Sequence, residues 1–133
     1  MSKLRIAFYV VTALFTLAIL PGAVMDIVQP EMVVDIAQGI GIPLHVMTLV
    51  GIWKLLGLVA LWLPRKPRLT EWAYAGFVFD LTGAAWWHGG ADDLAGIAPP
   101  LFILAIGLGS YFLRRASQPG AEVAATAPVA AAA

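Results

Sequence analysis

The sequence contains no cysteine, and that removes disulfide frameworks, thiolate metal sites and dithiol redox relays together. No cofactor is evident either, so a redox role would need a borrowed carrier such as a quinone. Charge is scarce as well: Asp, Glu, Lys and Arg make up 12% of 133 residues, eight acidic against eight basic, for a formal net charge of zero. The basic residues fall in small groups and leave no phosphate-tracking footprint, which excludes a nucleic-acid partner. What remains is apolar. A hydrophobic share of 61% and a mean hydropathy of +0.87 lie well outside the soluble average. The lipid bilayer is therefore the first expected partner, and a chain of this length holds about four spans of roughly 20 residues with no second domain.

Four apolar runs, at about 6–28, 43–63, 72–88 and 97–113, predict an all-α fold: a four-transmembrane-helix bundle filling 1–115. Between the first two runs lies QPEMVVDIAQGIG, where Pro30 and the Gly39/Gly41 pair bracket a short amphipathic piece. Met32, Val33, Ile36 and Ile40 share one side, so this segment is expected to lie as a helix at the membrane interface. Thr70 in RKPRLTE is the expected N-cap of the third helix. Residues 116–133 are Ala/Pro-rich and low in complexity, a composition expected to form a disordered cytoplasmic tail.

Lys3/Arg5, Arg65/Lys66/Arg68 and Arg114/Arg115 alternate correctly for four spans, whereas Asp26, Glu31, Asp35, Asp92 and Asp93 fall on the opposite side. The positive-inside rule then places both termini in the cytoplasm of a multi-pass cell-membrane protein, with the bacterial inner membrane as the expected location. A cleaved signal peptide ending near Pro21-Gly22-Ala23 is the rival reading. Its removal would leave three spans and spoil the alternation.

Two charges sit inside the spans. Lys54 is nine residues from Leu63 and Asp80 nine from Glu71, so both lie about 13 Å deep, near the bilayer midplane. Sequential antiparallel helices joined by a short link pack side by side, and a Lys54–Asp80 ion pair follows. Either charge alone costs about 3 kcal/mol on insertion scales. Gly51 and Gly57 beside Lys54, with Gly76 and Ala84 beside Asp80, permit close backbone approach. The pair is either the floor of a ligand pocket or a clamp specifying which helices pack.

A second polar layer lies nearer the outer surface, with His45, His88 and Asp26 as metal-ligand candidates by residue type. No two of them share a helix at three- or four-residue spacing, and ideal geometry puts His45 roughly opposite Lys54, so no metal site is assigned. His88 lies about 80° round its helix from Asp80 and fits a shared pocket better. Trp62 and Trp72 suit the cytoplasmic interfacial belt and Trp86 and Trp87 the outer one. Trp53 at mid-membrane and Trp87 on the Asp80 face could line an aromatic cavity for a flat apolar ligand.

The elements GIWKLLGLVALWLP and RLTEWAYAGFVFDLTGAAWWHGG together resemble the DoxX-like family of small four-helix membrane proteins, over about 9–112. The matching positions are Gly51, Lys54, Gly57, Pro64, Glu71, Trp72, Ala73, Tyr74, Gly76, Asp80, Gly83, Ala84 and His88. Trp87 stands where family members often carry a small polar residue, so the chain departs there. The resemblance implies the fold, and it implies function only through a family name drawn from a subunit of thiosulfate:quinone oxidoreduction; fold does not settle chemistry.

Three functional readings follow. The leading one is a binding or accessory module for a quinone-like or other lipid-soluble small molecule, contacted by Lys54, Asp80, Trp53, Trp87, Tyr74 and His88. The second is a small membrane enzyme, a redox subunit or isomerase, with Asp80, His88 or Glu71 transferring protons. The third is a structural partner of another membrane subunit or a small homo-oligomeric transporter.

Overall fold

A computed structural model describes residues 1–118 of the chain. Five helices follow one another, α1 (Lys3–Val28), α2 (Glu31–Ile40), α3 (Leu44–Trp62), α4 (Pro67–Gly90) and α5 (Leu94–Ala116), and no strand occurs among the described residues. The four long helices close a ring in the order α1, α3, α4, α5, each packed on two neighbours, while α2 touches α4. Of the tail expected over 116–133, residues 116–118 finish and follow α5, and the rest lies outside the described residues.

Length and composition mark three of these helices, α1, α3 and α5, as apolar enough to cross a membrane. The fourth long helix, α4, matches them with 24 residues but is diluted by Arg68, Glu71, Asp80 and His88. It also begins earlier than its apolar run. Pro67 occupies the first helical turn, where a fixed φ and a missing N–H cost nothing. Thr70 is consequently not the N-cap: Lys66 holds that position without a side-chain bond. The Thr70 hydroxyl lies buried inside the first turn, donating to Lys66 O at 3.0 Å and reaching Ala60 O of α3 at 3.3 Å.

The start of α5 also precedes its apolar run, because Asp93 caps it. Asp93 Oδ1 accepts from Gly96 N at 3.0 Å, so one of the orphan amides of the first turn is satisfied. In α2 the expected apolar side is split: Val33 and Ala37 are buried, whereas Met32 and Ile36 are exposed. Gly41, at φ 77°, ends α2 in the left-handed conformation that glycine adopts freely.

The core is built from Phe15 and Ile19 of α1, Leu58 and Leu61 of α3, and Tyr74, Phe77 and Leu81 of α4. Phe15 meets Phe77 edge to face, centroids 5.1 Å apart. Inside this apolar packing sits a hydroxyl relay: Ser110 Oγ of α5 lies 2.7 Å from Thr12 Oγ1 of α1 and 2.7 Å from Tyr74 OH of α4. Buried hydroxyls need partners, so the three satisfy one another and fix the mutual rotation of three helices.

Candidate functional site

The site begins with a glycine. A Cβ on Gly51 would stand 2.8 Å from Ala23 O and 2.9 Å from Asp26 Cβ, closer than real side chains pack. Its absence lets the last turn of α1 press on α3. Gln29 at the C-cap of α1 reinforces the approach, with Nε2 donating to Leu44 O at 2.7 Å and to Thr48 Oγ1 at 2.9 Å. Asp26, expected among an outer polar layer, is thereby buried against α3.

Helical side chains lean toward their own N-terminus, so the Lys54 stem runs back along α3 over Gly51 and meets Asp26. Lys54 Nζ donates to Asp26 Oδ2 at 2.8 Å. Asp80 Oδ2 of α4 lies farther from the same ammonium, at 3.6 Å, and that buried oxygen has no hydrogen-bond partner. The expected pair is therefore one part of a three-helix cluster in which Asp26 is the nearer counter-ion. Two carboxylates face one ammonium, and Asp80 is the carboxylate left without a hydrogen bond.

Beside this cluster a cleft of about 360 Å³ opens between α3 and α4. Lys54 and Asp80 supply its charged portion; Val50, Leu56, Ala60, Leu69 and Phe77 supply apolar wall. Trp53 and Trp72 border it and are themselves largely exposed, at 64% and 76%. The small residues Gly57, Ala73 and Gly76 keep it open. A Cβ on Gly76 would meet nothing within 4 Å, so the glycine expected to allow helix contact instead borders empty space.

The other candidates are distributed elsewhere. Tyr74 is in the core with its hydroxyl on Ser110, and it does not line the cleft. His88 turns to the α4–α5 link, its Nδ1 2.8 Å from Asp93 Oδ2, rather than into a pocket shared with Asp80. Hydrogen bonding to His88, and then to the Gly96 amide, holds the Asp93 carboxyl below the usual range. Trp87 is half-exposed beyond the cleft, because its position on α4 is set by the same helix turn that carries His88 to the link. Glu71 pairs with Arg114 Nη1 at 2.9 Å. Asp80, His88 and Glu71 thus stand apart, each with different neighbours.

His45 is exposed at the start of α3. With Asp26 engaged by Lys54 and His88 by Asp93, the three metal-ligand candidates stand apart, and no group of three or more His, Cys, Asp or Glu able to hold a metal occurs among the described residues. Trp72, expected in the interfacial belt, is largely exposed and also borders the cleft, and Asp26, expected nearer the outer surface, is the nearer partner of Lys54. Asp26 had one legible signal: an acidic residue four positions after Gly22 in an otherwise apolar helix.

A ring of long helices, three of them apolar enough to cross a membrane, with a cleft opening between α3 and α4, defines a multi-pass membrane protein. The chain belongs to the DoxX-like family, whose model matches residues 10–110. That match takes in the charge cluster and the whole cleft. Comparison with curated proteins and with solved structures gives no match.

Proposed function

We propose that this DoxX-like protein is a binding or accessory module that holds a quinone-like or other lipid-soluble small molecule in the α3–α4 cleft. The observation that carries this reading is the cleft itself, apolar and aromatic along its walls and, among the described residues, charged only at Lys54 and Asp80. Apolar pockets with a few convergent polar groups are the usual form of a small-molecule site, and an opening between two helices would admit a ligand directly from lipid.

In this reading α4 is the fourth span. Its length of about 36 Å suffices, its Asp80 turns to the charge cluster, and its Glu71 is matched by Arg114. Seven of the eight basic residues, all but Lys54, then lie at the end of the bundle shared by both termini and the α3–α4 link, which supports cytoplasmic termini under the positive-inside rule and a bacterial inner-membrane location.

Native mass spectrometry of the full chain, extracted in mild detergent, tests the binding role. A co-purifying small molecule is expected on the wild type and is expected to be absent from Gly76→Phe, which fills the cleft. Retention of the molecule by Gly76→Phe, or a bare wild-type protein, would overturn the reading.

A further inference from the structure

Resting on that reading of the cleft, we infer that its ligand is a lipophilic monocation, an apolar aromatic body bearing one ammonium-type charge, seated against Asp80. The argument starts from charge counting. Asp26, Lys54 and Asp80 bring two carboxylates to one ammonium, and the short contact is spent within the pair on α1 and α3, at 2.8 Å against 3.6 Å to Asp80. Among the described residues no other charged side chain borders the cleft. With both carboxylates ionised the cluster carries one uncompensated negative charge at the cleft, in surroundings of low polarity where such a charge is costly.

A proton on Asp80 or a bound cation removes that cost, and the two compete for one place. The aromatic wall selects the form of the cation. Trp53 and Trp72 are among the residues lining the cleft, and tryptophan is the strongest partner for an ammonium held over a ring face. An inorganic cation would leave those apolar walls without contacts; a neutral quinone would require Asp80 to keep its proton, whereas an ammonium-type cation replaces it.

Binding follows as an exchange in which a protonated Asp80 releases its proton to solvent as the cation enters. The titratable groups facing Asp80 are Asp26 of α1 and Lys54 of α3, and affinity for the cation rises with pH as protons withdraw.

The test uses the full chain in nanodiscs, with quenching of tryptophan fluorescence as readout. The probes are phenyltrimethylammonium, its uncharged isostere tert-butylbenzene, and a short-chain benzoquinone. The cation is expected to bind at least about tenfold more tightly than the isostere, through Coulomb attraction to Asp80 and cation–π contact with the tryptophans. Asp80→Asn is expected to abolish that preference while leaving isostere binding intact, and on the wild-type protein cation affinity is expected to fall on acidification. If the isostere or the quinone binds and the cation shows no preference, the cation inference fails and the cleft remains a site for neutral ligands. If none of the three probes binds, the proposed binding role fails with it. Should Asp80→Asn not fold, the cation-to-isostere ratio and its pH dependence on the wild type decide alone.

Discussion

Replacing Lys54 by Met should reveal which carboxylate the lysine serves. All three side chains of the cluster are less than a fifth exposed, at 17%, 11% and 19% for Lys54, Asp26 and Asp80, so solvent screening removes little. At an effective dielectric of about 20 the Coulomb attraction is about 6 kcal/mol across the Asp26 contact and about 5 kcal/mol across the Asp80 contact. Coulomb energy alone thus separates them by about 1 kcal/mol. The Asp26 contact is also a charge-assisted hydrogen bond, which adds about 2 kcal/mol, whereas 3.6 Å is too long for one. Lys54→Met should therefore destabilise the bundle by about 3–5 kcal/mol, the usual cost of orphaning a buried charge. In double-mutant cycles with Asp26→Leu and Asp80→Leu, coupling of Lys54 to Asp26 should exceed coupling to Asp80 by about 3 kcal/mol, or roughly a hundredfold in unfolding constant. Unfolding in mixed SDS and dodecyl maltoside micelles, followed by far-ultraviolet circular dichroism, measures all five variants. Equal couplings, or a larger one to Asp80, would refute the assignment of Asp26 as principal counter-ion.

Two further outcomes follow from local geometry. Gly51→Ala drives a methyl into backbone and should cost about 1–3 kcal/mol, as overpacking does, whereas Gly76→Ala meets open space and should leave the unfolding midpoint within about 0.5 kcal/mol of wild type; equal effects would contradict the close α1–α3 approach. The Asp93 carboxyl is held below its ordinary value by His88 and the Gly96 amide, so its folded value lies below its unfolded one. Its contribution is complete above the carboxylate range near pH 4 and is lost as pH falls through the folded value. An unfolding-midpoint titration from about pH 6 to about pH 2 should show that loss in the wild type and a flatter acid limb in Asp93→Ala; identical limbs would remove Asp93 from the account.

Apolar runs longer than about 17 residues are a strong signal, and they locate α1, α3 and α5 within a few residues. Helix ends are written in side chains that the runs do not contain. Pro67 and Asp93 each extend a helix beyond its apolar stretch, because a cap or a proline at the first turn acts locally and independently of hydropathy. The relay of Thr12, Tyr74 and Ser110 was invisible for a related reason. Thr12 and Ser110 are small hydroxyls in hydrophobic helices, where such groups ordinarily bond their own backbone, as Thr12 Oγ1 also does to Phe8 O at 2.7 Å, and Tyr74 reads as one more aromatic ring. Only the packing shows that three of them converge.

The charge cluster exposes the limit of reasoning by depth. Counting residues from the helix ends locates Cα atoms, and by that count Lys54 and Asp80 match. The ammonium, however, sits at the end of a four-carbon stem that leans toward the N-terminus of α3, about one helical turn from its own Cα. Gly51 occupies that turn, and it is there that α1 presses in with Asp26. The partner of a buried lysine is thus found by asking which helix crosses one turn N-terminal of it, and a glycine three residues earlier marks where a crossing backbone can come close. Asp80 on α4 comes only to 3.6 Å of that ammonium, too far for a hydrogen bond, and its buried Oδ2 is left without a partner.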